Sequence, residues 1–64
     1  MKLLEVTLKG TYRKVSITPE SIEDIFRLPD GSAEIMLKDS DMYYWTVQSV
    51  ESVLQQLNAA RVQP

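Results

Sequence analysis

Apolar and polar residues alternate along most of the chain and then change period, and that switch predicts the architecture. Leu4, Val6 and Leu8 fall on one side of the first segment, with Glu5, Thr7 and Lys9 on the other. This is the period of a half-buried β-strand. Lys9-Gly10-Thr11 reads as a turn, because Gly10 accepts the positive φ that a chain reversal needs. From Tyr12 to Ile17 the alternation resumes, with Val15 and Ile17 inward and Tyr12, Lys14 and Ser16 outward. The two segments predict an antiparallel hairpin.

Thr18-Pro19-Glu20-Ser21 stops the second strand. Thr18 is a capping residue type, Pro19 suits a first helical position, and Glu20 suits the positive end of a short turn. Ile22 and Ile25 are three apart, which fits another helical turn or the start of a strand. The reading adopted is one short turn, then a strand around Asp24 to Leu28. Leu28-Pro29-Asp30-Gly31-Ser32 is a reverse turn: proline pre-sets φ, aspartate tolerates the next position and glycine takes the left-handed one. Ala33, Ile35 and Leu37 then alternate with Glu34, Met36 and Lys38. Lys38-Asp39-Ser40-Asp41 forms a polar turn, and Met42 to Val47 forms the last strand, carrying Tyr43, Tyr44 and Trp45.

From Ser49 the period becomes 3.6. Val50, Val53, Leu54 and Leu57 make one apolar stripe, with Glu51, Gln55, Gln56 and Asn58 facing solvent. Ser49 is the N-cap, Glu51 complements the positive end of the helix dipole, and Arg61 lies near the opposite end. A helix over Val50 to Ala60 follows. The predicted fold is α+β: a small antiparallel sheet of four to five short strands with one C-terminal helix packed on it. It forms a single domain over residues 1–64, with a frayed tail at 61–64.

Composition narrows the function classes. In 64 residues there is no cysteine and no histidine, so disulfides and the usual zinc sets are excluded. A core this small rarely supplies more than ~3–5 kcal/mol, which makes self-association the expected route to stability. The net charge of −2, from 9 acidic and 7 basic residues, gives no general attraction to nucleic acid or anionic membrane. No apolar run approaches a membrane span, and Glu5 interrupts the N-terminal segment before a signal-peptide core could form. A cytoplasmic location is the expectation.

The order of these signals resembles the FlbD-like family of small bacterial and phage proteins, named after a flagellar-operon member. The resemblance covers nearly the whole chain and lies in pattern. It runs through the first hairpin and Ile17-Thr18-Pro19-Glu20-Ser21-Ile22-Glu23-Asp24-Ile25, then through Pro29-Asp30 and Ile35-Met36-Leu37. It closes on Gln48-Ser49-Val50-Glu51-Ser52-Val53, similar to the family's Glu-Ser-Val-Glu-Glu-Val helix start. Gln48 and Ser52 depart from the family's glutamates, and the aromatic run before them replaces aliphatic and basic residues. The resemblance implies the fold and a bacterial or phage origin, and no catalytic residues.

The aromatic strand carries the strongest candidate chemistry. Met42 and Tyr44 form one alternating set, and Tyr43, Trp45 and Val47 form the other. Both are substantially apolar, whereas a sheet with one buried face needs only one apolar set. Either this is a central strand partly exposed behind the helix, or the second set meets another subunit or a ligand, as Tyr and Trp commonly do. Tyr12-Arg13-Lys14, near this strand, offers guanidinium and ammonium groups beside aromatic rings, a combination able to hold a nucleotide. The plain alternative is a solvated strand face.

Asp39-Ser40-Asp41 lacks the spacing, central glycine and closing glutamate of an EF-hand loop, so turn chemistry accounts for it. Glu20, Glu23 and Asp24 read as a solvated acidic turn. Cysteine or serine–histidine nucleophiles are excluded by composition, and so small a domain has little interior for a desolvated catalytic pocket. No catalytic residue, metal ligand or cofactor is assigned. The expectation is a non-enzymatic, homo-oligomeric protein-interaction or regulatory module with a host or phage protein partner. The alternative is a small-molecule binder that sequesters a nucleotide signal at subunit interfaces. The candidate binding residues are Tyr12, Arg13, Lys14, Tyr43, Tyr44 and Trp45.

Overall fold

The computed structural model describes residues 2–61. The chain forms strands β1 (Leu4–Thr7), β2 (Lys14–Ile17), β3 (Ile22–Arg27), β4 (Ser32–Leu37) and β5 (Tyr43–Ser49), then helix α1 (Val50–Arg61). A single 3-10 turn, Pro19–Ser21, separates β2 from β3. This is an α+β fold of two antiparallel sheets, β1–β2 and β3–β4–β5, with one C-terminal helix. Arg61, placed in the expected frayed tail, is helical; residues 62–64 of that tail lie outside the described residues.

The two sheets are joined edge to edge. Leu8 bridges to Thr46, and the Lys9 N–H donates to the Trp45 carbonyl at 2.8 Å. β1 therefore lies between β2 and β5. Beyond that bridge, glutamine side chains continue the ladder. Gln48 Oε1 accepts the Thr7 N–H at 2.9 Å, while Gln56 accepts from the Glu5 N–H and donates to the Glu5 carbonyl, both at 3.1 Å. Gln56 thus stands in for one rung of a neighbouring strand and satisfies backbone groups that would otherwise face an open edge.

Alternation breaks twice, and each break has a structural cause. On β3, Ile22 pairs with Leu37 and Asp24 with Met36, so Glu23 is an extra residue, a β-bulge. The bulge resets the phase, which lets Ile22 and Ile25 both turn inward although three apart. The spacing that resembled a helix belongs to an extended strand, and Ile22–Ile25 is not helical. The second break lies between β4 and β5, where Ser32 pairs with Ser49 and Glu34 with Trp45. Thr46, fully buried, donates its hydroxyl to the Ala33 carbonyl at 3.0 Å, with the Gln48 carbonyl 3.2 Å away.

Helix α1 lies over the inner faces of both sheets. Its Val50, Val53 and Leu57 join Leu4, Val6, Ile17, Ile22, Ala33 and Ile35 in one core, with Val15, Ile25, Leu37, Tyr44 and Ala60 partly buried against it. Leu54 departs from expectation: it is 43% exposed. At about 100° per residue, the line through Val50, Val53, Leu57 and Ala60 leaves Leu54 on one flank and Gln56 on the other. The Gln56 flank faces β1, so Leu54 turns outward. Ser49 caps the helix as expected, accepting the Ser52 N–H at 3.1 Å. Thr18 makes no side-chain cap.

Candidate interaction face

β5 sorts its two side-chain sets cleanly. Tyr44 and Thr46 point to the core side, whereas Tyr43, Trp45 and Val47 are 51%, 57% and 44% exposed. Met42, just before the strand, is exposed as well. Of the two sets weighed from the sequence, the face left open is therefore Tyr43-Trp45-Val47.

Register extends this face across the sheet. Phe26, Glu34 and Trp45 are successive cross-strand neighbours, and so are Asp24, Met36 and Tyr43. Directly paired residues project to the same side, so Phe26, itself exposed, shares the outer face with Trp45. Glu34 sits between the two rings. Among the described residues it has no ion-pair partner.

Two shallow grooves flank Trp45. One, of about 430 Å3, is walled by Leu8, Lys9, Thr11, Glu34, Tyr43, Tyr44 and Trp45. The other, of about 390 Å3, runs along Lys9, Leu28, Pro29, Asp30 and Trp45. Lys9 stands between them and is fixed there: its Nζ lies 2.6 Å from Asp30 Oδ2. Asp30 also accepts from the Ser32 hydroxyl and N–H through Oδ1. The Lys9 ammonium above all, then the Ser32 hydroxyl and amide, hold the Asp30 carboxyl well below the usual carboxylate range. This contact ties the β1–β2 turn to the β3–β4 turn directly beside Trp45.

Of the sequence-predicted site residues, Tyr43, Tyr44 and Trp45 come together in the first groove. Tyr12, Arg13 and Lys14 lie at the tip of the β1–β2 hairpin and on β2, one strand away from β5 with β1 between. All three are exposed. Lys14 borders a small polar depression with Glu5, Val6, Thr7 and Gln48. Tyr12 holds φ at +56° and is 72% exposed. Lys9, Thr11, Phe26 and Glu34 belong to the face but escaped the sequence reading. Phe26 carried a signal, an aromatic at an outward strand position, but its phase depended on the hidden bulge at Glu23.

Among the described residues, no group of three or more His, Cys, Asp or Glu side chains is placed to hold a metal ion. No helix among them is long and apolar enough to cross a membrane. No protein-family model, curated protein or solved structure matches the chain.

Proposed function

We propose that this chain is a non-enzymatic binding module that self-associates through the outer face of β5. In this reading it serves as a protein-interaction or regulatory adaptor of the FlbD-like type in a bacterial or phage-infected cytoplasm. The observation that carries the reading is the row Tyr43, Trp45 and Val47 on alternate positions of one strand, exposed, with Phe26 on the same face. Large apolar side chains gathered on one face are the usual mark of an interaction site. The area is also in proportion. Against a monomer surface of 4451 Å2, a standard interface of about 800 Å2 per partner covers roughly a fifth of the molecule. Pairing would stabilise a fold whose buried core consists of nine aliphatic side chains among the described residues.

A second reading has its own support: the groove beside Trp45 is lined by the outward-facing Tyr43 and Trp45 together with Lys9, a combination that suits a nucleotide. Lys9 is, however, already engaged by Asp30, so a phosphate would have to displace a carboxylate. The first reading is preferred for that reason.

Trp45 is the sole tryptophan, so its fluorescence reports on the proposed interface directly. Self-association moves its emission to the blue as concentration rises, in step with the mass measured by sedimentation, and Trp45→Ser shifts the chain toward monomer. A wild-type protein that stays monomeric at high concentration would refute the reading. Native mass spectrometry of the purified protein addresses the second reading, which requires a retained small molecule.

A further inference from the structure

The hairpin tip holds a residue that the monomer does not use. Tyr12 has φ +56°, a left-handed conformation that is uncommon for a bulky side chain and costs free energy. Its N–H donates to the Leu8 carbonyl at 3.0 Å, and the Leu8 N–H donates to the Arg13 carbonyl at 2.8 Å. Those bonds are made by the backbone alone, so glycine would serve the turn better. The ring is 72% exposed, and neither groove beside Trp45 includes it. Strain held at an exposed position is a pointer to use outside the monomer.

The charges beside it are also uncommitted. Lys9 pairs with Asp30 and Arg27 with Glu51, but among the described residues Arg13 and Lys14 have no ion-pair partner. Glu34 has none either, and it lies between the exposed rings of Phe26 and Trp45. A carboxylate between two exposed aromatic residues suits a cation, which gains from the charge and from the ring quadrupoles. Asp24 adds a second negative charge one row away.

We infer that the Tyr12-Arg13-Lys14 tip of one copy docks on the Phe26-Glu34-Trp45 face of a second copy, with Arg13 on Glu34. This rests on the self-association proposed above. The placement suits a two-fold axis: Thr11 lines the groove that contains Glu34 and Trp45, and Tyr12 is the next residue. Tip and receptor are therefore neighbours on one monomer. An axis between them lets each copy give its tip to the other, so that both contacts form at once in a closed dimer. Within one monomer the Leu8–Lys9 leg of the hairpin, bridged to Thr46 and Trp45, lies between Arg13 and β5, and among the described residues Arg13 makes no ion pair with Glu34. The partner's tip has no such obstacle.

The test is a charge-reversal cycle read by sedimentation equilibrium, with circular dichroism to verify folding of each variant. Arg13→Glu and Glu34→Arg singly weaken dimerisation by ~10-fold or more, and the double variant recovers most of that loss, because the pair is restored with its signs exchanged. Tyr12→Gly weakens the dimer without lowering the monomer's melting temperature. If Trp45→Ser dissociates the dimer but the single reversals do not, the β5 face stands and this docking is wrong. Losses that do not recover in the double variant overturn the Arg13–Glu34 pairing, whatever else binds Glu34. A wild-type monomer at all concentrations overturns both proposals.

Discussion

Tyr12 and Gly31 both hold positive φ, at +56° and +89°, yet substitution at the two has opposite consequences. Gly31 closes the β3–β4 turn, donating its N–H to the Leu28 carbonyl at 2.8 Å, and its carbonyl accepts the Val50 N–H that starts α1. A Cβ there meets nothing within 4 Å, so any penalty arises in the backbone. Gly31→Val should cost ~2 kcal/mol or more, since a β-branched residue resists this conformation, whereas Tyr12→Gly should leave the monomer unchanged or slightly firmer. Urea melts of the two variants at low concentration give the comparison. In the helix, burial decides. Leu57, 6% exposed, lies in the core, and Leu57→Ala should lower stability by ~2–5 kcal/mol. Leu54→Ala should change it by less than ~0.5 kcal/mol. Equal losses in the two alanine variants would place the helix in the wrong rotation. From sequence the stripe held four residues, because a 3.6-residue period fixes a face only to within its flanks. Which flank is covered depends on where β1 lies, and helical periodicity does not encode that.

At the scale of elements, two contacts join pieces that are distant in the chain: the glutamine rungs from Gln48 and Gln56 to β1, and the Lys9–Asp30 pair between two turns. The second gives a pH dependence with a definite sign. The Asp30 carboxyl in the folded state lies below its ordinary value, so on acidification the unfolded chain takes up its proton first. The pair's contribution is therefore complete above roughly pH 4–5, around and above the unfolded carboxyl pKa. It is lost as pH falls through the folded value. Arg27 acts in the same sense on Glu51. Asp30→Asn should flatten the acid limb of the stability curve; an unchanged limb would show that the pair contributes nothing. The elements themselves were legible because apolar and polar residues alternate over most of each strand and each turn carries its own punctuating residues. β3 was ambiguous for a local reason. Glu23 is a residue inserted against β4, and nothing in Ile22-Glu23-Asp24-Ile25 distinguishes a bulged strand from a helical turn until its partner is known. The Gln48 and Gln56 rungs were equally hidden, since a glutamine on a helix flank carries no sign of the strand it will meet.

For the molecule as a whole, the question is what covers the outer face of β5. The sequence showed that both of the strand's side-chain sets are apolar, and hence that one of them would lack a partner. It did not show which, because that choice is made by the helix crossing the other side of the sheet. Nor did it show that Phe26 and Glu34 join the face, because cross-strand register is a property of pairing rather than of either strand. With the face assembled, self-association ties stability to concentration. If only the dimer covers Tyr43, Trp45, Val47 and Phe26, unfolding from the dimer must also separate the subunits, and the melting temperature rises with protein concentration. A monomer shows no such dependence. Trp45→Ser should abolish the rise while leaving the melt of the dilute protein nearly unchanged, since Trp45 is 57% exposed in the monomer and contributes little to its core. Thermal melts of both proteins across a hundredfold dilution series make the comparison. A melting temperature independent of concentration in the wild type would rule out self-association through the aromatic face.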